Sequence, residues 1–374
     1  MTPPDIGGPL LYVGHLNKGQ TSLMRCEAME RLGLAVAPFN ARAFLEQRSF
    51  LERRIGAMFE RSPQLAHMNR ALVETARRVR PSVVWFDKQE YVTAASINAL
   101  KAMDAFLVFY TPDPYFQHAW HQTRTMTQNL SRMDLAVTTK RYELNDYARH
   151  GRVVYMPHGF SETDHRPTPV PEAERFDVGF VGSWEPRREA LMERLAGAEL
   201  SVKIWGFGWD HLVEGRVGLR RRARLRRMAN GEPFAVMRSE ALANYIVPRE
   251  VYANEYARAL SASRISGGFL RRTLYPDTHT TRTFEVPACG SMLLAERTEE
   301  HEAFFAEDRE AVFFEGEDEF VEKAVYYTRH PDKRDAIAAA GRAKCLAAGY
   351  SYTERLRQVM NDVAALRAAK DVLA

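Results

Sequence analysis

With 374 residues, 45% hydrophobic and 27% charged side chains and a formal charge of +4, the chain has the makeup of a globular protein and is long enough for two ordinary domains. Its longest apolar runs, 105–110 and 292–295, fall far short of the roughly 20 residues that cross a bilayer, and no basic-then-apolar leader opens it, so a cytoplasmic protein is expected. Three cysteines, Cys26, Cys289 and Cys345, show no CxxC spacing and no neighbouring histidine cluster, which argues against a disulfide framework and a structural zinc site.

The chain begins with the apolar run Leu10–Gly14, a loop over 14–19 that includes His15, and a helical pattern over 22–32. Strand, glycine-containing loop and helix open a doubly wound α/β domain, and the loop falls where such folds meet ligand. It is neither G-x-G-x-x-G nor a P-loop. A strand over 34–39, helices over 43–59 and 64–79, a strand over 82–86, a helix over 91–101 and a strand over 105–110 follow. The alternation predicts a parallel sheet.

The loop over 111–118, with two prolines around Asp113 and a histidine at His118, lies at the carboxyl end of that fourth strand. Two readings stand side by side. Asp113 and His118 form a general-base candidate pair, or Asp113 caps a helix beginning near Tyr115. A strand over 134–138, a helix over 140–150 and a strand over 152–156 complete a first domain. Residues 161–175, with three prolines and no apolar periodicity, read as a linker.

The alternation then restarts. A strand over 176–182 closes on Gly182, and Ser183 leads to a helix through Ala196 with Pro186 in its first turn and Arg187 and Arg188 behind it. This makes an anion-friendly entrance. A strand over 200–205 ends at Gly206, so both strands stop at a glycine, as they would if backbone had to approach a ligand closely. Residues 216–227 hold seven arginines and no acid. That run is read as a solvated face or a weak peripheral attachment to an anionic membrane surface, rather than a nucleic-acid site, because no aromatics are interleaved to stack bases.

A helix over 248–260 and a strand over 263–270 bring the chain to its most informative stretch, 275–296. A polar loop over 276–281 enters a short helix at 281–285, stops at Cys289-Gly290 and continues as a buried strand over 291–295. Open amides at the helix start and the Arg282 fork suit an anion, and Glu285 is placed to accept hydrogen bonds from vicinal hydroxyls. The working reading is a clamp for a diphosphate sugar, set against ordinary N-caps in any βαβ protein. Helix over 299–306, strand over 311–314, helices over 317–330 and 331–346, and a closing helix over 352–373 follow.

Two doubly wound domains with a terminal helix able to cross back resemble the layout of GT-B glycosyltransferases. FEVPACGSMLLAE (284–296) resembles the segment of the glycosyltransferase group 1 families in which a Glu opens a helix, Ala-x-Gly ends it and an apolar strand follows. More narrowly, TRTFEVPACG together with FVGSWEPRRE is similar to the spore-maturation CgeB-like glycosyltransferases, paired arginines included. The likeness extends over 176–350 and more weakly over the first domain.

This resemblance implies an α/β GT-B fold: two Rossmann-like domains with a cleft between them and a C-terminal helix crossing back. It implies an acceptor-binding domain over 1–160, a linker over 161–175, a nucleotide-sugar domain over 176–350 and a crossing helix over 351–374. Group 1 enzymes hold the donor with two acidic residues separated by seven, and Asp277 and Glu285 have that spacing. Glu285 would take the ribose hydroxyls, and Asp277, one methylene shorter than the usual Glu, would lie near the donor sugar. Thr280, Thr281 and Arg282 would meet the diphosphate, with Gly182, Ser183 and Arg187 on its other side. The base would lie near Gly206 and residues 245–247.

The resemblance further implies a nucleotide-sugar donor, UDP above others, and an acceptor that nothing in the sequence identifies. The chain contains no D-x-D, so no metal and no cofactor is expected. His15, Asp113 and His118 are the acid/base candidates. If the anomeric configuration is retained, the leaving phosphate can take the acceptor proton instead. The competing reading is a degenerate binding protein on the same fold, recruited to an anionic surface by 216–227. A sugar-nucleotide epimerase of the same shape is a third.

Overall fold

The computed structural model describes residues 2–46, 62–89, 91–117, 123–209, 242–247, 249–271 and 275–373. The chain forms two units, residues 1–161 with 352–374, and residues 162–351.

The first unit is built on a parallel sheet of strands β1 (Leu10–Gly14), β2 (Val36–Asn40), β3 (Val83–Asp87), β4 (Phe106–Thr111), β5 (Leu135–Thr138) and β6 (Val153–Tyr155), in the order β2-β1-β3-β4-β5-β6. Its central strands are apolar on both sides, as a sheet covered on both faces requires. Leu10, Tyr12, Val83 and Trp85 enter one core, while Leu11, Val13, Val84 and Phe86 enter the other. The helix Tyr352–Leu373 returns here, contributing Tyr352, Leu356, Val359, Met360 and Val363 to the core that also holds Met24, Ala28 and Met29 of the helix Thr21–Arg31.

The second unit carries β7 (Phe176–Val181), β8 (Val202–Trp205), β9 (Ser263–Gly268), β10 (Met292–Glu296) and β11 (Val312–Phe314), parallel in the order β11-β10-β9-β7-β8. Beyond β8, Ile246 forms a parallel bridge with Ile204. In each sheet the strand order reverses beside the first strand of the unit. In doubly wound sheets ligands bind outside the carboxyl ends of the strands at that point. For the second unit these ends are Gly182 after β7 and Phe269 after β9.

Several local expectations shift. The helix expected from 91 begins at Ala94, where the Thr93 hydroxyl accepts from the Ser96 amide. The one expected over 248–260 is Asn254–Ala262, and the one over 43–59 is described only for Ala41–Glu46. Among the described residues no helix starts at 115–117 for Asp113 to cap. Instead the buried Glu143 carboxylate accepts the amides of Tyr115 (2.9 Å) and Phe116 (2.6 Å), fixing the loop after β4 in a non-helical form. The next helix, Arg124–Asn129, is capped by Thr123.

Residues 161–175 are not a free spacer. His165 is buried, the Thr168 amide donates to Ser261 (3.0 Å), and Glu172 and Glu174 pair with Arg264 and Arg258, all within the second unit. Proline content alone does not separate a tethered strap from a loose one. Among the described residues no helix is long and apolar enough to cross a membrane.

A buried polar group sits inside the first unit. Arg25 donates to both oxygens of Asp87 (2.7 and 3.0 Å), Tyr12 donates to the same carboxylate (2.5 Å), and the rings of Tyr110 and Tyr352 lie 4.6 and 5.5 Å from the guanidinium. Removing one partner of such a pair leaves an uncompensated charge in low dielectric. Arg25→Met is therefore expected to cost about 3–5 kcal/mol, read from urea unfolding, and Arg25→Lys to recover part of it, since an ammonium cannot form the two-pronged contact.

Candidate functional site

The carboxyl ends of β7 and β8 are pressed together. The Gly182 amide donates to the Trp205 carbonyl (2.9 Å) and its carbonyl accepts from the Trp209 indole (2.8 Å). Gly206 has φ +136°, and a Cβ there would lie 2.1 Å from the Gly182 carbonyl oxygen. A Cβ on Gly182 would meet Phe180 at 2.7 Å and Arg282 Nη1 at 3.1 Å. Gly206 is thus required by backbone approach and Gly182 by the packed Phe180 and Arg282 side chains, and the loop 206–208 presents Phe207 with 68% of its surface exposed.

Three guanidiniums converge on this corner. Arg188 donates to the Ser183 carbonyl (2.9 Å) and hydroxyl (3.3 Å) and to the Phe269 carbonyl (3.2 Å). Arg271 donates to the Ser183 hydroxyl (2.9 Å). Arg282 donates to the carbonyls of Val181 (3.4 Å) and Phe269 (3.2 Å). The Phe180 ring lies 5.4 Å from the guanidinium carbons of both Arg188 and Arg282. The carboxylate of Glu185 answers them, 3.4 Å from Arg271 and 3.9 Å from Arg188.

The electrostatics follow from crowding. Burial, and then Arg282, push the Arg188 guanidinium down to about 9, and burial lowers that of Arg282. Burial also raises the Glu185 carboxyl. These directions express the cost of gathering like charges away from water, a cost that an anion seated among them removes. The Nε donors of Arg188 and Arg282 are buried without a hydrogen-bond partner. Arg187 turns elsewhere and pairs with Glu296 (2.6 Å), whose other oxygen accepts the Leu270 amide (2.8 Å).

The helix of the expected clamp is Arg282–Ala288, with Thr281 as N-cap but no cap bond from its hydroxyl. The amides of Thr280, Thr283, Phe284 and Glu285 are already bonded within the turn, so the expected fan of open amides narrows to at most those of Thr281 and Arg282. Thr280 Oγ1 is buried without a partner, and Asp277 is buried in the loop before it. That loop is secured from behind. His279 meets Glu300 (2.7 Å), Thr298 donates to the Thr278 carbonyl (2.7 Å), and His301 bridges Thr283 (2.9 Å) and the Glu296 carbonyl (2.6 Å).

Glu285 points to a second group of buried side chains. Tyr256 donates to one of its oxygens (2.5 Å) and His165 Nε2 lies 3.8 Å from the other. Burial lowers the His165 pKa and raises that of the Tyr256 phenol well above its usual value. Gly182, Ser183, Gly206 and Arg282 therefore share one corner, with Glu285 a turn further along the helix.

In the first unit, His15 is half-buried after β1. Asp113 forms an ion pair with Lys88 at the end of β3, where Lys88 has φ +54°. His118 and the arginine run 216–227 lie outside the described residues. Among the described residues no three His, Cys, Asp or Glu side chains gather as a metal-binding group.

Residues 187–361 match the family model described as Glycosyl transferase-like. The glycosyl transferase-like match takes in most of the second unit and the first turns of the helix Tyr352–Leu373. The whole chain has the GT-B fold, by similarity to solved structures. HepE of Anabaena, in complex with UDP and glucose, superposes with TM-score 0.62 at 12% identity over 96% of this chain and 100% of its own. Sucrose-phosphate synthase from Thermosynechococcus elongatus gives 0.63 at 13% over 97% and 100%, and a glycosyltransferase from Rickettsia africae 0.58 at 12% over 96% and 99%. No curated protein matches the chain.

Within the second unit, Arg271, Glu185, Tyr256, His165 and Phe207 were not singled out from the sequence. Arg271 follows a strand and His165 sits in a proline-rich stretch, and nothing local marks either. Phe207 did carry a signal, since a bulky ring between two glycines in Gly206-Phe207-Gly208 has nowhere to bury itself.

Two outcomes follow from this geometry. Gly206→Ala is expected to cost more than about 2 kcal/mol, from strain at positive φ and the clash with Gly182, measured by thermal unfolding. The unfolded chain protonates His165 near its usual pKa of about 6.5, whereas the native state resists until lower pH. The stability His165 supports is therefore present above about pH 6.5 and falls as pH drops through it. His165→Gln is expected to flatten the acid limb of a stability–pH profile.

Proposed function

We propose that the protein transfers a sugar from a nucleotide-diphosphate sugar, with UDP as the nucleotide, to an acceptor hydroxyl. The observation that carries this reading is the corner of Arg188, Arg271 and Arg282 gathered around Glu185, at the point where the strand order reverses. Three planar forks around a glycine turn match the oxygens of a diphosphate. The HepE structures, solved with UDP-glucose and with UDP and glucose, support the choice of donor.

In this reading Glu285, held by Tyr256, accepts the ribose hydroxyls, Phe207 offers a face for the base, and Asp277 lies toward the donor sugar. As the glycosidic bond breaks, negative charge grows on the β-phosphate, and guanidiniums already oriented by the Ser183, Val181 and Phe269 carbonyls stabilise it without reorganising. No metal is required for that step. The leaving phosphate accepts the proton of the incoming hydroxyl and the anomeric configuration is retained. Asp113 is engaged by Lys88, so the reaction does not depend on it as a base. The paired arginines after Gly182-Ser183 favour a CgeB-like branch.

A thermal-shift panel of UDP, GDP, ADP and dTDP in EDTA tests this. UDP is expected to stabilise most. Arg282→Ala and Glu285→Ala should each weaken UDP by at least tenfold, about 1.4 kcal/mol. Phe207→Ala should weaken it by about 1–2 kcal/mol through lost stacking. A panel in which no nucleotide shifts the melting temperature would sink the reading. Conversion of a UDP-sugar without acceptor to an epimer, seen by mass spectrometry, would replace it.

A further inference from the structure

The opposite end of the five-stranded sheet holds a second cationic site. There a cavity of about 340 Å³ is lined by Arg175, Arg264, Arg334 and Arg342, together with Glu172 and Asp335. Arg175 precedes β7 and Arg264 is the second residue of β9, so the cavity lies at the amino ends of strands whose carboxyl ends carry Ser183 and Phe269. Arg334 and Arg342 come from the helix Pro331–Ala347.

The charges in the cavity do not cancel. Glu172 pairs with Arg264 and lies 3.7 Å from Arg175. Arg264 also has Asp177 at 3.7 Å, and Arg334 holds Asp335 at 2.8 Å. Arg342 has no ion pair or hydrogen bond among the described residues, and its Nε is buried without a partner. Four guanidiniums thus line the cavity with two carboxylates, and one of the four is unanswered. A buried donor left unmade is costly, and a cavity of this size is within the range that holds small molecules.

We propose that this cavity binds a compact multivalent oxyanion, seated on Arg342 and flanked by Arg175 and Arg334, separately from the corner at Gly182. Phosphate and carboxylate groups both satisfy the guanidinium fork, so pyrophosphate and citrate serve as the two probes. The site would make the domain responsive to an anion other than its donor.

Isothermal titration of the full chain carrying Arg282→Gln, which disables the Gly182 corner, tests the proposal. Saturable sub-millimolar binding of pyrophosphate or citrate is expected. Adding Arg342→Gln should weaken it at least tenfold. So should adding Ala339→Glu, which places a carboxylate on an exposed position lining the cavity and leaves the fold intact. Binding of pyrophosphate alone assigns a phosphate-bearing ligand, and of citrate alone a polycarboxylate. No saturable binding of either probe, or equal binding in the Ala339→Glu protein, overturns the proposal. UDP titrated into the unsubstituted chain reports independently on the donor site, so each reading can fail without the other.

Discussion

The second unit is organised around an electrostatic debt. Arg188, Arg271 and Arg282 are drawn to one corner around Glu185, and Arg188 is almost wholly removed from water. What keeps them there is backbone. The carbonyls of Val181, Ser183 and Phe269 accept their protons, and the Phe180 ring offers its electrons to two of them. Those carbonyls are available because Gly182 and Gly206 let adjacent strands end within backbone contact of one another. Fold, glycine and charge are therefore one arrangement.

The first unit shows the opposite solution to the same difficulty. Arg25 is as deeply buried, but Asp87 takes both of its prongs and Tyr12 completes the carboxylate. Arg25 Nη1 is left without a hydrogen-bond partner, but its other two donor positions are fixed by one carboxylate, which ties the strand β3 to the first helix. An arginine gripped at two donors by its own carboxylate fixes structure, whereas guanidiniums held mainly by neutral carbonyls and a shared carboxylate keep charge to offer a ligand. The contrast is why the Gly182 corner, and not the deeper Asp87 group, carries the functional reading.

Much of this was readable beforehand because α/β alternation writes itself into period and punctuation. The strands ending in Gly14, Gly182 and Gly206 and the Pro-started helix after Ser183 all announce themselves locally. Arg282 and Glu285 could be singled out because a polar loop feeding a short helix suits an anion, although ordinary N-caps in any βαβ protein look the same locally. The rest depends on distance in sequence. Tyr256 reaches Glu285 from 29 residues away, and His165 from far earlier still. Arg188 and Arg187 are neighbours on one helical turn, and only packing decides that the first faces Ser183 and the second Glu296. The loop after β4 looked like a helix start because Glu143, which captures its amides, lies beyond the next strand.

The return of the last helix to the first unit sets an order of assembly. Tyr352, Leu356, Val359, Met360 and Val363 complete a core whose other residues lie before position 157. During synthesis the first part of this unit precedes the helix Tyr352–Leu373 by nearly two hundred residues, yet it must wait for that helix before that face of its sheet is covered. The second unit, contiguous over 162–351, can close while its predecessor is still open. A chain cut before Tyr352 would leave that apolar face uncovered, open to the association that exposed core surface invites.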